Sequence, residues 1–194
     1  MKLTPAFSAL CAVIALGLAG PARAAVIAST NVPVAICDLC TVTSTINVGS
    51  HGLITDLNAR IDINHSFDGD LQIELQSPAG TVVVLSDNRG GGGNNFIHTL
   101  FDDEVLTTVG AGSAPFNGSF RPDGLLSAFD GQDVFGVWTL RIADQVRADN
   151  GRLTAWSLDV TTLAAAQGVP EPASLALAAL GLAGLGFSRR RQAA

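Results

Sequence analysis

The chain has 194 residues, 47% of them hydrophobic and 14% charged, and it carries a formal net charge of −6 at pH 7. Five of its 11 basic residues (Lys2, Arg23, Arg189, Arg190 and Arg191) and one of its 17 acidic residues (Glu171) lie near the termini, so residues 25–168 hold six basic and 16 acidic side chains, a net charge of −10. Such a surface repels nucleic acid and anionic lipid, and it suits a divalent cation, a basic partner or simple solubility outside the cell.

The N-terminal segment, 1–24, has the order of a secretory signal peptide. Met1 and Lys2 form a charged start, an apolar stretch covers residues 9–19, and Ala22, Arg23 and Ala24 supply an A-x-A cleavage site. We therefore predict export, with cleavage after Ala24 by a signal peptidase.

The exported chain keeps two cysteines, because Cys11 is lost with the signal peptide. Cys37 and Cys40 have the spacing of a redox pair or of half a zinc site. The flanking sequence has no thioredoxin-like βαβ pattern, and no second ligand pair stands at zinc spacing. A small disulfide that closes a turn between the first two strands, in an oxidising compartment, is the favoured interpretation.

Downstream of the cysteines, apolar residues recur at every second position, which is typical of half-buried strands. Residues 56–65 alternate without a break, and the apolar positions are Leu57, Ala59, Ile61 and Ile63. Three further strands are predicted at residues 42–48, 138–142 and 156–160. We expect Trp138 and Trp156 to lie in the core.

A hairpin is predicted between residues 71–76 and 81–85, because the turn residues Ser77, Pro78 and Gly80 lie between these two runs. No segment before the C-terminal tail shows a convincing helical stripe. We therefore predict an all-β fold, a jelly-roll-like antiparallel β-sandwich, for residues 25–168.

Five stretches occur in the order typical of one known module. They are 65–71 (HSFDGDL), 76–81 (QSPAGT), 101–103 (FDD), 115–129 (PFNGSFRPDGLLSAF) and 136–140 (GVWTL). Together they resemble the P domain, or P/Homo B module, which follows the catalytic domain in kexin-like and many bacterial subtilisin-like proteases. The resemblance covers about residues 31–162, and it implies a jelly-roll β-sandwich without catalytic activity of its own.

The sequence offers no convincing catalytic residues. A serine hydrolase needs a nucleophile, a base and a group that orients the base. No G-x-S-x-G motif occurs, no subtilisin-type serine motif occurs, and the segment before the first strand is too short for a catalytic domain. The three histidines are interpreted as polar residues of strand ends and surfaces, and His65 with Asp68 is the least implausible pair.

Carboxylates cluster in the predicted loops. Asp68 and Asp70 enter one strand, Asp87 ends its hairpin partner, and Asp102 and Asp103 follow the strand after a run of four glycines. Because loops converge at the ends of a sandwich, these five residues are candidate ligands for Ca²⁺, which takes six to eight oxygens. Resemblance to bacterial P domains also implies calcium. The alternative is that Asp-Gly and Asp-Asn only form turns.

The C-terminal segment, 169–194, forms a tail with three parts in a fixed order. They are the signature Val169, Pro170, Glu171 and Pro172, an uncharged stretch at 173–187 that predicts a short apolar helix, and the basic residues Arg189, Arg190 and Arg191. This order resembles the PEP-CTERM signal, which implies cleavage by an exosortase in a Gram-negative bacterium. A plain membrane anchor is less favoured, because about 15 apolar residues fall short of the roughly 20 that span a bilayer. The arginines are expected on the cytoplasmic side.

Three classes of function follow. The first is an exported, non-enzymatic binding or structural protein, transiently anchored in the inner membrane and then displayed at the cell surface or in the extracellular polysaccharide matrix. The second is an accessory module of a separate subtilisin-like protease. The third is a hydrolase with an unrecognised site. The first is our prediction.

Overall fold

The computed structural model describes residues 22–163, so most of the predicted signal peptide and the whole sorting tail lie outside the described residues. Ten strands are present: β1 (Ala22–Ala28), β2 (Val34–Ile36), β3 (Thr41–Val48), β4 (Leu53–His65), β5 (Leu71–Gln76), β6 (Val82–Asp87), β7 (Phe96–Phe101), β8 (Phe116–Phe120), β9 (Gly136–Asp144) and β10 (Gly151–Leu163). The described helices are three short 3-10 turns, at Asp68–Asp70, Val109–Ala111 and Leu126–Phe129. Between residues 22 and 163 no helix has the length and apolar character that a membrane span requires.

The strands form two sheets. The first has the order β1-β10-β4-β7-β8, with β2 also paired to β10, and the second has the order β3-β9-β5-β6. The all-β sandwich is confirmed. One pairing departs from the antiparallel prediction, because β7 and β8 run parallel. The long connection at 102–115 makes this possible, since it leads the chain back to the end at which β7 began.

The alternation in the sequence matches the core. The four predicted inward residues of β4, Leu57 among them, are all buried, and the predicted hairpin is formed by β5 and β6. Both tryptophans are buried, as predicted. The indole of Trp156 on β10 donates to Ser44 Oγ on β3 at 2.7 Å, which ties the two sheets together inside the core.

Strand β1 crosses the predicted cleavage point. It begins at Ala22 and pairs with β10, so that Ala22 lies opposite Leu163 and Ala24 lies opposite Thr161. Cleavage after Ala24 would remove the start of β1, from Ala22 to Ala24, and leave the last residues of β10 without that neighbour. The first and last described residues, Ala22 and Leu163, therefore lie at the same corner of the fold.

Candidate functional site

The predicted calcium ligands lie in two separate places. Strand β4 links them, because its 13 residues, Leu53–His65, cover about 40 Å. We call the Leu53 side the near end and the His65 side the far end. The structure does not bring all five carboxylates to one place, because Asp68 and Asp70 follow β4, whereas Asp102 and Asp103 follow β7, whose last residue pairs with Ala59 in the middle of β4. Asp68 and Asp70 follow His65, whereas Asp102 lies close enough to Asp56 to raise the pKa of Asp56.

Four of the five carboxylates accept hydrogen bonds within the described residues, and those of Asp68 and Asp102 come from the backbone N–H groups of Asn95 and Glu104, both at 2.8 Å. Asp103 accepts hydrogen bonds from the backbone N–H groups of Leu126 and Ser127, at 3.0 and 2.9 Å, and so caps a 3-10 turn. Asp87 accepts a hydrogen bond from Gln72 Nε2 at 3.2 Å on the neighbouring strand. These contacts match the alternative interpretation, in which such residues stabilise turns and strand pairs.

A buried histidine and carboxylate pair lies at the far end. His65 Nε2 is 3.3 Å from Asp144 Oδ2, and both side chains are fully buried. His65 Nδ1 lies 2.9 Å from the carbonyl oxygen of Phe67, which can only accept a hydrogen bond. The backbone N–H of Phe67 lies 3.3 Å from the same Nδ1, so neighbouring groups contact the ring at both of its nitrogens.

Asp144 was not among the residues predicted from the sequence, although the sequence carries a signal for it. His65 continues the inward positions of β4 after Ile63, and Asp144 continues those of β9 after Ile142. His65 and Asp144 are thus the last inward-facing residues of their strands. Two polar side chains in such positions are expected to meet inside the sandwich. Asp68, the least implausible partner of His65 in the sequence, directs one oxygen to the backbone N–H of Asn95 instead.

The side chain of Asp68 is fully buried, and only one of its two carboxylate oxygens has a hydrogen-bond partner among the described residues. Its Oδ1 accepts a hydrogen bond from the backbone N–H of Asn95 at 2.8 Å, whereas its buried Oδ2 has no partner among the described residues. Burial raises the pKa of Asp68 to about 6, against a lowering by Asn95 and His65. The backbone of Asp68 also donates to Gly93 O at 2.8 Å, so the glycine run packs directly on this residue.

One glycine of that run is required by its surroundings. Gly90 has φ of +96°, and a Cβ at this position would lie 2.7 Å from the ring of Phe116 and 3.0 Å from Cβ of Asp68. Any other residue would be strained here and would push the loop away from the buried carboxylate.

Asp70 is a third buried carboxylate of the far end, after Asp144 and Asp68. Burial raises its pKa, and the nearby charges of Asp144 and Asp149 raise it further, against a lowering by His65. The far end thus concentrates negative charge around a single buried histidine.

The near end holds a second group of carboxylates. Burial raises the pKa of Asp56, with further increases from Asp102 and Asp130. The pKa of Glu104 is raised chiefly by its hydrogen bond to Asp102. Mutual repulsion of this kind is what a bound cation relieves.

These groups do not form a complete cage for a metal. Across residues 22–163, no three His, Cys, Asp or Glu side chains are placed to share one ion. A calcium ion at either end would need backbone carbonyls and water for most of its six to eight oxygens. The unpartnered oxygen of Asp68 and the repelling pair Asp56 and Asp102 are the features that fit a cation best.

An open cleft of about 530 Å³ adjoins the buried pair at the far end. Its lining is rich in side-chain amides and hydroxyls, with one guanidinium: Asn64, Ser66, Asn94, Asn95, Asn150, Arg152 and Thr154. Amides both donate and accept hydrogen bonds, so this surface suits a ligand that carries many hydroxyl groups.

The two remaining cysteines are joined. Cys37 Sγ and Cys40 Sγ form a disulfide in the turn between β2 and β3, and the backbone N–H of Asp144 donates to Cys40 O at 2.9 Å. The disulfide turn therefore belongs to the far end, beside the buried pair.

The sequence profile of the proprotein convertase P-domain matches residues 54–160. The chain belongs to the P-domain family. The profile of the PEP-CTERM protein-sorting motif matches residues 168–191, directly after the P domain. This motif indicates export to the cell surface, in agreement with the sequence analysis.

The P domain is similar to part of larger proteins that are named as enzymes. It is 30% identical over 110 residues to a calcium-dependent protease of Trichormus variabilis. The aligned region makes up 55% of this chain and 14% of the relative. It is 30% identical over 101 residues to leupeptin-inactivating enzyme 1 of Streptomyces exfoliatus, which covers 51% of this chain and 17% of the relative. The chain thus spans about a sixth of the length of these relatives.

A solved structure shows the same fold. The crystal structure of the Aeromonas sobria serine protease with its chaperone ORF2 matches 76% of this chain and 28% of the protease, with a TM-score of 0.52 and 21% identity. The same sandwich architecture therefore occurs in part of that structure.

Within residues 22–163, none of the three histidines accepts a hydrogen bond from a serine hydroxyl, as the base of a serine hydrolase would. Ser66 Oγ donates to Asp149 Oδ1 at 2.6 Å and makes no hydrogen bond to His65, its neighbour in the chain. His51 and His98 are each paired with an aspartate, Asp133 and Asp62, near the surface. A triad needs the base to accept the proton of the nucleophile, and these contacts do not provide that.

Proposed function

We propose that this protein is an exported, non-catalytic P-domain protein that an exosortase sorts to the cell surface, where it acts as a binding or structural component of the extracellular matrix. The observation that carries the proposal is the order of the two matches, a P domain that ends at residue 160 and a PEP-CTERM motif that begins at residue 168. The hydrogen bonds of Ser66 and His65 to other groups support a non-catalytic role.

Processing at both ends is the first test. The mature protein is expected to begin at Ala25 and to lack Arg189, Arg190 and Arg191, because of the A-x-A site and the sorting tail. The measurement is the intact mass of the protein from the outer fractions of the native host. A species outside the inner membrane that still carries the arginines contradicts sorting by an exosortase.

The ligand that we propose is a polysaccharide, held in the amide-rich cleft at the far end. Asn64 and Asn150 are exposed residues of this cleft and are the first positions to replace. In a pull-down with the extracellular polysaccharide of the host, Asn64→Ala combined with Asn150→Ala should lose binding at least fivefold. The matched control is Ser50→Ala at the near end, and an equal loss in that variant contradicts the assignment of the cleft.

Calcium is the cofactor that we propose, through the carboxylates at one end. The support is the name of the Trichormus relative and the mutual repulsion of Asp56 and Asp102. A ligand that binds only the native state adds about 2.7 kcal/mol at 100 times its dissociation constant, a rise of roughly 5 to 10 °C in Tm for a domain of this size. Magnesium should raise the Tm much less than calcium, since it demands a tighter octahedral site.

Thermal melting in chelator, calcium and magnesium tests this, on wild type, Asp70→Asn and Asp102→Asn. Loss of the calcium shift in one variant alone assigns the ion to the far or the near end. Asp103 is a poor choice for this purpose, because its replacement also removes a helix cap. Equal melting of the wild type in all three conditions means that the carboxylates only form turns.

A second candidate is an accessory module for a separate subtilisin-like protease. The observation that favours it is that the relatives are named as enzymes and match this chain over only 14 to 17% of their length. Co-purification of such a protease with the native protein supports this role. Peptide turnover by the purified protein that disappears in Ser66→Ala supports instead a hydrolase with an unrecognised site.

A further inference from the structure

Both processed segments leave the domain at the near end. Ala22, which follows the apolar part of the signal peptide, pairs with Leu163, the last described residue. Leu163 in turn pairs with Leu53, the first residue of β4. Whichever of the two apolar segments is held in a membrane, the near end is the part of the domain next to it.

The link to the tail is short. Only the segment 164–172 separates Leu163 from the apolar stretch that starts at Ala173. Fully extended, this link spans at most about 30 Å. Since β4 alone covers about 40 Å, the near end stays close to the bilayer while the tail is inserted.

The near end also exposes large apolar side chains, which we call the rim: Leu53, Phe135 and Val137. Their exposed fractions are 45%, 46% and 53%. The ring of Phe135 stacks on His51 at a centroid distance of 4.1 Å, and Leu53 forms a β-bridge with Asp133, two residues before Phe135. The rim thus lies next to the point from which the tail departs.

We propose that the rim rests on the lipid surface while the tail is inserted, so that the far end and its cleft point away from the membrane. This inference rests on the proposed anchoring of the tail. Tethering within about 30 Å gives the rim a high effective concentration at the lipid surface, so a few half-exposed apolar side chains suffice. The acidic group behind the rim, Asp56 and Asp130 among it, favours neutral over anionic headgroups.

The experiment uses the chain from Ala25 to Ala194, reconstituted in phosphatidylcholine vesicles that contain a lipid with a spin-labelled headgroup. A fluorescent probe is attached to Ser50→Cys, beside the rim, or to Ser113→Cys. Ser113 is its matched control, because its neighbour Ala114 packs against Gly93 at the far end. Since Cys37 and Cys40 form a disulfide, the introduced cysteine takes the label.

The expected result is at least threefold stronger quenching at position 50 than at position 113. Phe135→Ser combined with Val137→Ser should bring the ratio below two, with melting confirming that the variant is folded. Protein that floats with the vesicles but is quenched equally at both positions overturns the inference alone. Self-quenching at position 50 that grows with protein density means that a second copy covers the rim, which also overturns it. Protein that fails to float refutes the anchoring and, with it, the inference.

Discussion

The two ends of the sandwich each contain a histidine and aspartate pair, and the two pairs differ in burial. At the near end, His51 Nδ1 lies 2.6 Å from Asp133 Oδ2, with side chains 62% and 47% exposed. At the far end, His65 and Asp144 are 3.3 Å apart and fully buried. The shorter contact is the weaker one, because water screens it, whereas removing one partner of the buried pair leaves the other desolvated.

The difference extends to the surroundings of each pair. The near end places its pair beside the apolar rim and beside the points at which both terminal segments join the domain. The far end places its pair among Asp68 and Asp70, under the glycine loop and the disulfide turn. We therefore expect substitutions in the buried pair at the far end to lower stability strongly and those in the exposed pair at the near end to change it little.

The largest effect is expected for Asp144→Ala. It leaves His65 buried without its carboxylate and should lower the free energy of unfolding by about 3 kcal/mol. The corresponding fall in Tm is about 10 °C, measured by thermal melting at pH 7. Asp133→Ala is the control at the near end, with an expected loss below about 1 kcal/mol. If both variants lose the same free energy of unfolding, burial does not determine how much each pair contributes to stability.

An effect that reaches this size only at the upper end of its pH range is expected for Asp68→Asn. The folded pKa of Asp68 is raised from 3.8 to about 6, so the folded state holds its proton more tightly than the unfolded state. The free energy of unfolding therefore falls as pH rises through this window, by up to about 3 kcal/mol, and stays lower above it. Asp68→Asn should remove that slope.

Denaturant unfolding at intervals between pH 4 and pH 7 measures this. If the variant keeps the wild-type slope, another group titrates there. If calcium abolishes the slope in wild type alone, the unpartnered oxygen of Asp68 is a ligand of the ion.

The smallest effect is expected for His51→Ala. Its hydrogen bond to Asp133, with others from the backbone of Phe135 and Gly52, lowers the pKa of Asp133 to about 2 from 3.8. The contribution of this lowered pKa to the free energy of unfolding is present above pH 3.8 and is lost as pH falls toward 2. Because the pair is exposed, it amounts to less than about 1 kcal/mol. Titration of the Asp133 carboxyl by NMR should show its pKa move up toward 3.8 in the variant, and an unchanged value would assign the shift to the backbone donors.

The strands were accessible from the sequence to a large extent. The alternation at residues 56–65 predicted which side chains of β4 enter the core, and the turn at Ser77 and Pro78 predicted the hairpin of β5 and β6. Parallel pairing of β7 with β8 was not predicted, because it depends on how the connection at 102–115 crosses the sheet. The start of β1 at Ala22 was also unexpected, since the pattern of a signal peptide covers those residues.

The candidate site was predicted less well. The composition of the loops indicated acidic clusters, but the sequence does not reveal which loops lie at the same end of the sandwich. Asp102 was grouped with Asp70, whereas it lies by Asp56, and Asp144 was missed although it forms the main contact of His65. Contacts of this kind join residues 79 positions apart, as between His65 and Asp144.

The family, the all-β class and the sorting signal follow from the sequence alone, because a period of two, turn residues and a terminal signature are local patterns that need no partner. The tertiary structure alone decided which carboxylates meet, which of them are buried, and that both ends of the chain leave at one corner. The physical reason is that burial and charge interactions depend on distance in space, and the pairing of β10 with both β1 and β4 sets those distances.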